Sequence, residues 1–482
     1  MNIIEEYKTL QTRRQFFSQG KNLLGTAALG SLLGSATSAA AGEGVVKTHF
    51  PAKAKRVIYL HMVGGPAQMD LFDHKPKMKD FYDKDLPDSI RKGQRLTTMT
   101  SGQKRFPVAP TKFKFGPAGE CGMMMNTELL PNLAKKADDI CWMRTLHTEA
   151  INHEPAIAAM QTGNQVPGRP CLGSWASYGL GSDNENLPAF VVLVAVPSNR
   201  DQEQAISSRL WGSGYLPGEH AGVSFRSAGD PILYINNPAG VPAAIRKSTI
   251  NNINALNEIN FRAVGDPETQ TRIRQYEMAF KMQASVPELT DLSTESDHTF
   301  KLYGEEAKKL GTFANTALMA RRLAERGVRF IQIYHNNWDH HGNVAGRMPS
   351  QCKDVDQPCA ALIEDLKQRG MFDDTLIIWG GEFGRTIYSQ GNLSMTNYGR
   401  DHHPRCFSMW MAGGGAKGGT IYGETDDFSY NIVNEPIHIR DFHATVMQLL
   451  GYDHEQLSYK YQGLNQRLTG VLPAQVIKEL VL

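Results

Sequence analysis

The chain contains a series of short runs that are apolar at consecutive positions rather than alternate ones: 56–62, 140–146, 189–195, 328–334 and 375–379. Strands that are hydrophobic on both faces belong to parallel sheets covered by helices on either side. Helical periodicity precedes two of them, at 303–326 and in the segment that ends at Arg369-Gly370. Strands alternating with helices give an α/β fold, here a three-layer sandwich with a mostly parallel central sheet. Most of the runs open at their C-terminal ends onto glycine, Asp, Glu, His or Asn. In open α/β sheets, ligands bind at that edge. The clearest case is Trp379-Gly380-Gly381-Glu382-Phe383-Gly384-Arg385, a buried strand leading into a glycine turn that presents one carboxylate.

The 482 residues suffice for one large α/β domain with insertions or for two domains. With a formal net charge of +2, nothing suggests a nucleic-acid or polyanion surface, and no nucleic-acid partner is expected. The N-terminus reads as an address. Thr12-Arg13-Arg14-Gln15-Phe16-Phe17 resembles a twin-arginine export motif; a small apolar stretch from Leu23 to Leu33 and Ser38-Ala39-Ala40-Ala41 follow. That stretch is too short and too rich in Gly and Ser to span a bilayer. The expectation is a signal segment over 1–41, removed from a periplasmic or otherwise extracytoplasmic protein that the twin-arginine translocase exports folded. Residues 42–482 then form a single domain, with a Gly-, Pro-, Asn- and Ser-rich insertion over about 197–300 that partly caps the site. The six cysteines include no CxxC pair, which argues against a thiolate zinc site. Cys352 and Cys359 are near enough in sequence to pair in an oxidising compartment.

Two clusters carry most of the chemistry. In Asp339-His340-His341, Asp339 and His341 are two apart and point to one side of an extended backbone. Imidazole suits zinc, manganese or iron, and carboxylate suits harder ions; the bland reading is a solvated histidine-rich loop. Asp401-His402-His403 lies just before a strand, with a hydrogen-bonding loop as its alternative. His402 is the better ligand candidate, since His403 abuts Pro404. Glu382 is a ligand, a helix cap or a partner of Arg385. Asp70 and Asp73 follow the first strand, where turns commonly hold Asp. His153 stands at a predicted helix N-terminus and serves either chemistry or capping. Together Asp70, Asp339, His341, Glu382 and His402, with His153, make a ligand set for two divalent cations about 4 Å apart. Histidine among the ligands favours zinc or manganese; calcium or magnesium is the alternative if only oxygens ligate.

Several segments resemble the alkaline phosphatase and sulfatase superfamily. Asp373-Asp374-Thr375-Leu376-Ile377-Ile378-Trp379 is similar to the sulfatase strand that runs into an Asp-Asn-Gly turn, and Pro131-Asn132-Leu133 to its Pro-Asn-Leu helix. His153-Glu154-Pro155 through Thr162-Gly163 resembles the nucleophile segment, and Asp441 to Gly451 the C-terminal helix. The residues Gly64 to Pro76, Trp338 to His341, Gly381 to Thr386 and Gly399 to His402 resemble domain-of-unknown-function family 1501 more closely. The resemblance implies that Asp70 and Glu382 serve one metal, and Asp339, His341 and His402 the other. It implies a hydrolase of phosphate or sulfate esters, acting on a small anionic ester or a sulfated or phosphorylated carbohydrate. In that setting Arg385 binds the substrate anion through its planar donor fork. Two departures qualify the activity. The nucleophile position holds His153 in place of Cys, Ser or Thr, and Phe383 replaces the Asn of the sulfatase turn. His153 is then nucleophile, ligand or base, and a non-catalytic metal- or carbohydrate-binding protein on the same scaffold is the alternative.

Overall fold

A computed structural model describes residues 46–482, apart from 202, 227–230, 233–236, 238–239 and 395. The expected signal segment over 1–41 lies outside the described residues. Strands β1 (Arg56–Met62), β2 (Ile140–His147), β3 (Phe190–Ala195), β4 (Val223–Phe225), β5 (Phe330–His335) and β6 (Thr375–Gly380) enter one sheet. A hairpin of β7 (Gly384–Gln390) and β8 (Gly399–His403) stands apart, and β9 (Phe407–Ala412), β10 (Ile421–Tyr422) and β11 (Ile437–His438) return to the sheet. The order is β10-β2-β9-β6-β1-β5-β3-β4, with β11 beside β2. All neighbours in it are parallel except β9, which runs against both β2 and β6.

The consecutive apolar pattern has a direct cause. Ile58 and Leu60 of β1 face one core with Ile331, Ile333, Ile377 and Trp379. Val57 and Tyr59 face the other with Phe330, Tyr334, Leu376 and Ile378. Helices α5 (Phe313–Glu325) and α6 (Val344–Gln368) close the first core. Helices α1 (His153–Thr162), α2 (Leu172–Leu180) and α7 (Ile439–Leu449) close the second. Each such fully buried aliphatic or aromatic side chain contributes about 1.5–3 kcal/mol. The long helices α3 (Ala243–Val264) and α4 (Pro267–Thr290) pack mainly on one another.

Helix α1 starts at His153, with Pro155 in the first turn, where its missing N–H costs nothing. It stops at Gly163, whose φ of 72° is the left-handed cap. The helix that Pro131-Asn132-Leu133 resembles is here a 3-10 segment, Leu133–Asp139. Within the 197–300 segment, β4 pairs in parallel with β3, so part of this segment belongs to the central sheet. All six cysteines are free. Cys352 and Cys359 both lie in α6, two turns apart. A rise of about 10.5 Å over seven helical residues exceeds the Cα separation a disulfide spans.

The turn after β1 is tightly bound to the loop after β5. Gly64 has φ 118°, and a Cβ there would strike the backbone of Trp338 and Asp339. Gly64→Ala is expected to cost at least about 1–3 kcal/mol, from the backbone conformation alone. Denaturant unfolding checks this, and an unchanged unfolding midpoint would contradict the close approach.

Candidate metal centre

The carboxyl edge of the sheet gathers residues from four segments. Asp339 and His341 follow β5, and Glu382 follows β6. His153 leads α1, after β2. His402 precedes β9, and because β9 is antiparallel, its N-terminal end lies at the carboxyl edge of its neighbours. A residue before a strand thus reaches the same edge as residues after strands.

Single ligand atoms of His153, Asp339, His341 and His402 all lie within 4.8 Å of one another. Oδ1 of Asp339 is the hub: His341 Nε2 is 2.8 Å away, His153 Nε2 3.2 Å and His402 Nε2 3.6 Å. Each imidazole is fixed from behind through Nδ1. His341 Nδ1 meets Gln390 Oε1 at 2.6 Å, His402 Nδ1 meets the Ile151 carbonyl at 2.7 Å, and His153 Nδ1 meets Glu382 Oε1 at 2.6 Å. All three contacts fit an Nδ1–H donor, which leaves an Nε2 lone pair facing the hub. The inward Nε2 atoms of His153 and His402 are buried without a hydrogen-bond partner. In folded proteins most buried polar atoms are paired. Two such lone pairs converging on a carboxylate, beside a third imidazole, fit a divalent cation with nitrogen and oxygen ligands.

Phe383 supplies the wall. Its ring is 4.5 Å from that of His402 and 5.0 Å from that of His153, and the Arg385 guanidinium lies 5.7 Å from its centroid. Burial holds His402 down at about 4, against the opposing pull of Asp339, so it is neutral at neutral pH. Burial also acts to lower His153, but its contacts with Asp339 and Glu382 prevail and raise its pKa. Glu382 is held at about 2: burial pushes it up, and the neighbouring His153 and His61 outweigh that. Burial opposes ionisation of Asp339 as well, yet the Arg385 guanidinium holds its pKa far below the usual range.

Two of the sequence candidates stand elsewhere. Asp70 is fully buried but lies outside the four-ligand group. Arg400 Nε is 2.6 Å from its Oδ2, and Arg400 Nη2 and the Tyr398 hydroxyl each approach Oδ1 at 3.3 Å. Its oxygens are engaged by Arg400 and Tyr398 in a buried ion pair. Arg385 is also fully buried. Its guanidinium donates to Asp339 Oδ1 at 2.5 Å and to the carbonyls of Gly64, Gly65 and Arg400. With its donors so engaged, it anchors Asp339 in place of a substrate anion. Asp73 bonds Thr425, Ser429 and Lys75, and His403 stacks on Tyr430 and meets its carbonyl.

Sequence reasoning missed three supporting residues. Gln390 backs His341, His61 faces Glu382, and Gln204 Nε2 donates to Asp339 Oδ2 at 2.8 Å. Gln204 belongs to the 197–300 segment and is pinned by a reciprocal pair of bonds with Asn336. No local pattern marks these residues, since each acts across a long sequence separation. Beyond Gln204 a cleft of about 270 Å³ opens beside His153, lined by Ile157, Ala158, Ala205, Arg209 and Leu210.

This is an α/β protein with a four-residue centre suited to a divalent cation at its sheet edge. Residues 54–481 match the family model described as protein of unknown function (DUF1501), and the chain belongs to that family. No curated protein matches it in sequence. Similar solved structures include the PsFucS1 sulfatase from Pseudoalteromonas sp., at 12% identity over 86% of this chain and 71% of that one, with a TM-score of 0.35. A protein in the alkaline phosphatase superfamily from Vibrio parahaemolyticus is 11% identical over 85% and 70%, TM-score 0.36. Alkaline phosphatase from the Antarctic bacterium TAB5 is 10% identical over 84% and 99%, TM-score 0.31. At these levels no role transfers from those proteins to this chain.

The raised pKa of His153 has a consequence for stability. A histidine with a raised folded-state pKa stabilises fully below its unfolded value, about 6.5, and the contribution disappears as pH rises through the folded value. Chelator-treated protein should therefore lose stability from about pH 6.5 upward. His153→Gln should flatten that loss, and a bound cation, which replaces the proton, should abolish it. Thermal unfolding across this range checks the sign; an identical profile in His153→Gln would exclude His153 as the source.

Proposed function

We propose that the chain is an exported, metal-dependent hydrolase of phosphate or sulfate esters that uses one divalent cation, zinc or manganese by ligand type. The observation that carries the metal is the convergence of the unpartnered His153 and His402 Nε2 atoms and His341 Nε2 on Asp339 Oδ1. A cation held there supplies Lewis acidity toward an ester oxygen and favours ionisation of water. The order of the motifs along the chain, with its resemblance to phosphatases and sulfatases, supports the ester class. The adjacent cleft has room for a small ester, with Ile157, Ala158 and Leu210 against its apolar part. With its Nδ1 on Glu382 and its Nε2 turned to the centre, His153 is taken as a ligand here, so this reading assigns water as the nucleophile. Export and a periplasmic location rest on Arg13-Arg14 and the small apolar segment after it. Among the described residues no helix is long and apolar enough to cross a membrane.

Elemental analysis of the purified protein, followed by assays on aryl phosphates and aryl sulfates, tests the reading. The expected outcome is bound transition metal and turnover that His341→Ala lowers more than roughly 100-fold, beyond the usual cost of losing an orienting partner. Metal with no turnover across a broad ester panel would leave a binding protein. Turnover unchanged in metal-free His341→Ala would remove the cation from the chemistry.

A further inference from the structure

Glu382 looks at first like a fifth ligand, since it is an ionised carboxylate beside the centre. Its surroundings argue for a different task. Oε1 is 2.6 Å from His153 Nδ1 and accepts the Gly64 N–H at 2.9 Å. Oε2 also approaches the Gly64 N–H, at 3.2 Å, and faces His61 Nε2 at 3.6 Å. Both oxygens are thus turned to groups other than the four-ligand hub, and Glu382 and His61 are fully buried.

His61 is itself held. Its Nδ1 lies 3.3 Å from Gln161 Nε2 and 3.3 Å from the Tyr59 hydroxyl, both able to donate. Donation to Nδ1 selects the tautomer whose Nε2–H points at Glu382. Gln161 belongs to the same helix as His153, so α1 reaches Glu382 twice: directly through His153 and indirectly through Gln161 and His61. The ring nitrogens of His153 diverge, so fixing Nδ1 on Glu382 aims Nε2 at Asp339 Oδ1.

We infer that Glu382 is a positioning residue and not a metal ligand: it selects the Nδ1–H tautomer of His153 and orients its Nε2 into the centre, while His61, held by Gln161 and Tyr59, faces the far oxygen. The inference rests on the metal-binding reading of the centre and adds that the coordinating set is His153, Asp339, His341 and His402. A carboxylate behind a ligating histidine fixes its tautomer and raises its basicity, and its loss typically weakens metal binding roughly 10–100-fold.

Co²⁺ titration of the full-length protein, followed by visible absorption, separates the two roles. Glu382→Gln keeps the size and one acceptor oxygen. It is expected to weaken Co²⁺ binding roughly 10–100-fold while leaving band positions and intensities as in the parent protein. His61→Gln should weaken binding in the same direction without changing the spectrum, whereas His341→Ala should change it. A Glu382→Gln spectrum altered as in His341→Ala, or affinity unchanged in both Glu382→Gln and His61→Gln, would overturn the inference. Nitrogen-15 spectra of the unsubstituted protein with Zn²⁺ need no variant to fold. They should show His153 bound through Nε2 and protonated at Nδ1, and metal on Nδ1 would overturn the role. No Co²⁺ or Zn²⁺ uptake by the unsubstituted protein would instead sink the metal centre itself, and this inference with it.

Discussion

The contact on which the sheet edge depends is the buried pair of Arg385 and Asp339. A guanidinium cannot lose its proton in a protein, so a buried one must be matched by acceptors in every direction. Here they come from three segments: the Gly64 and Gly65 carbonyls after β1, Asp339 after β5 and the Arg400 carbonyl in β8. One side chain therefore ties together the loop that carries Asp339, the strand that carries His402 and the turn that donates to Glu382. A neighbouring pair, Arg400 and Asp70, repeats the device one step further in. Breaking either pair would leave an uncompensated buried charge, an error that typically costs about 3–5 kcal/mol.

That arrangement also settles the electrostatics. Arg385 keeps Asp339 ionised, so the centre carries a fixed negative charge. The histidines around it differ in their response: His402, packed under Phe383 and near Arg385, stays neutral, while His153, between two carboxylates, gains affinity for a proton. A proton on His153 and a cation at the hub compete for one lone pair, and metal binding couples to pH in this way.

The strands and their direction were largely legible. Consecutive apolar residues at 56–62, 140–146 and 375–379 register the need to pack both faces of the sheet, and β1, β2 and β6 occupy those runs. Asp339, His341 and His402 stood out because they are polar where buried strands meet loops. Asp70 looked the same in sequence, yet Arg400, 330 positions away, claims it. Arg385 looked like an anion binder because nothing local shows that Gly64, Gly65 and Asp339 surround it. Gln204, Gln390 and His61 escaped notice for the same reason.

The sequence by itself determined the layered α/β architecture, the family motifs and the residue types able to hold a cation, since these depend on local periodicity and on side-chain chemistry. Tertiary structure alone decided which carboxylate faces the centre, which is spent on a guanidinium, and which way each imidazole turns. Those outcomes hinge on partners hundreds of residues distant, and on an antiparallel β9 that brings His402 to the edge where the parallel strands end.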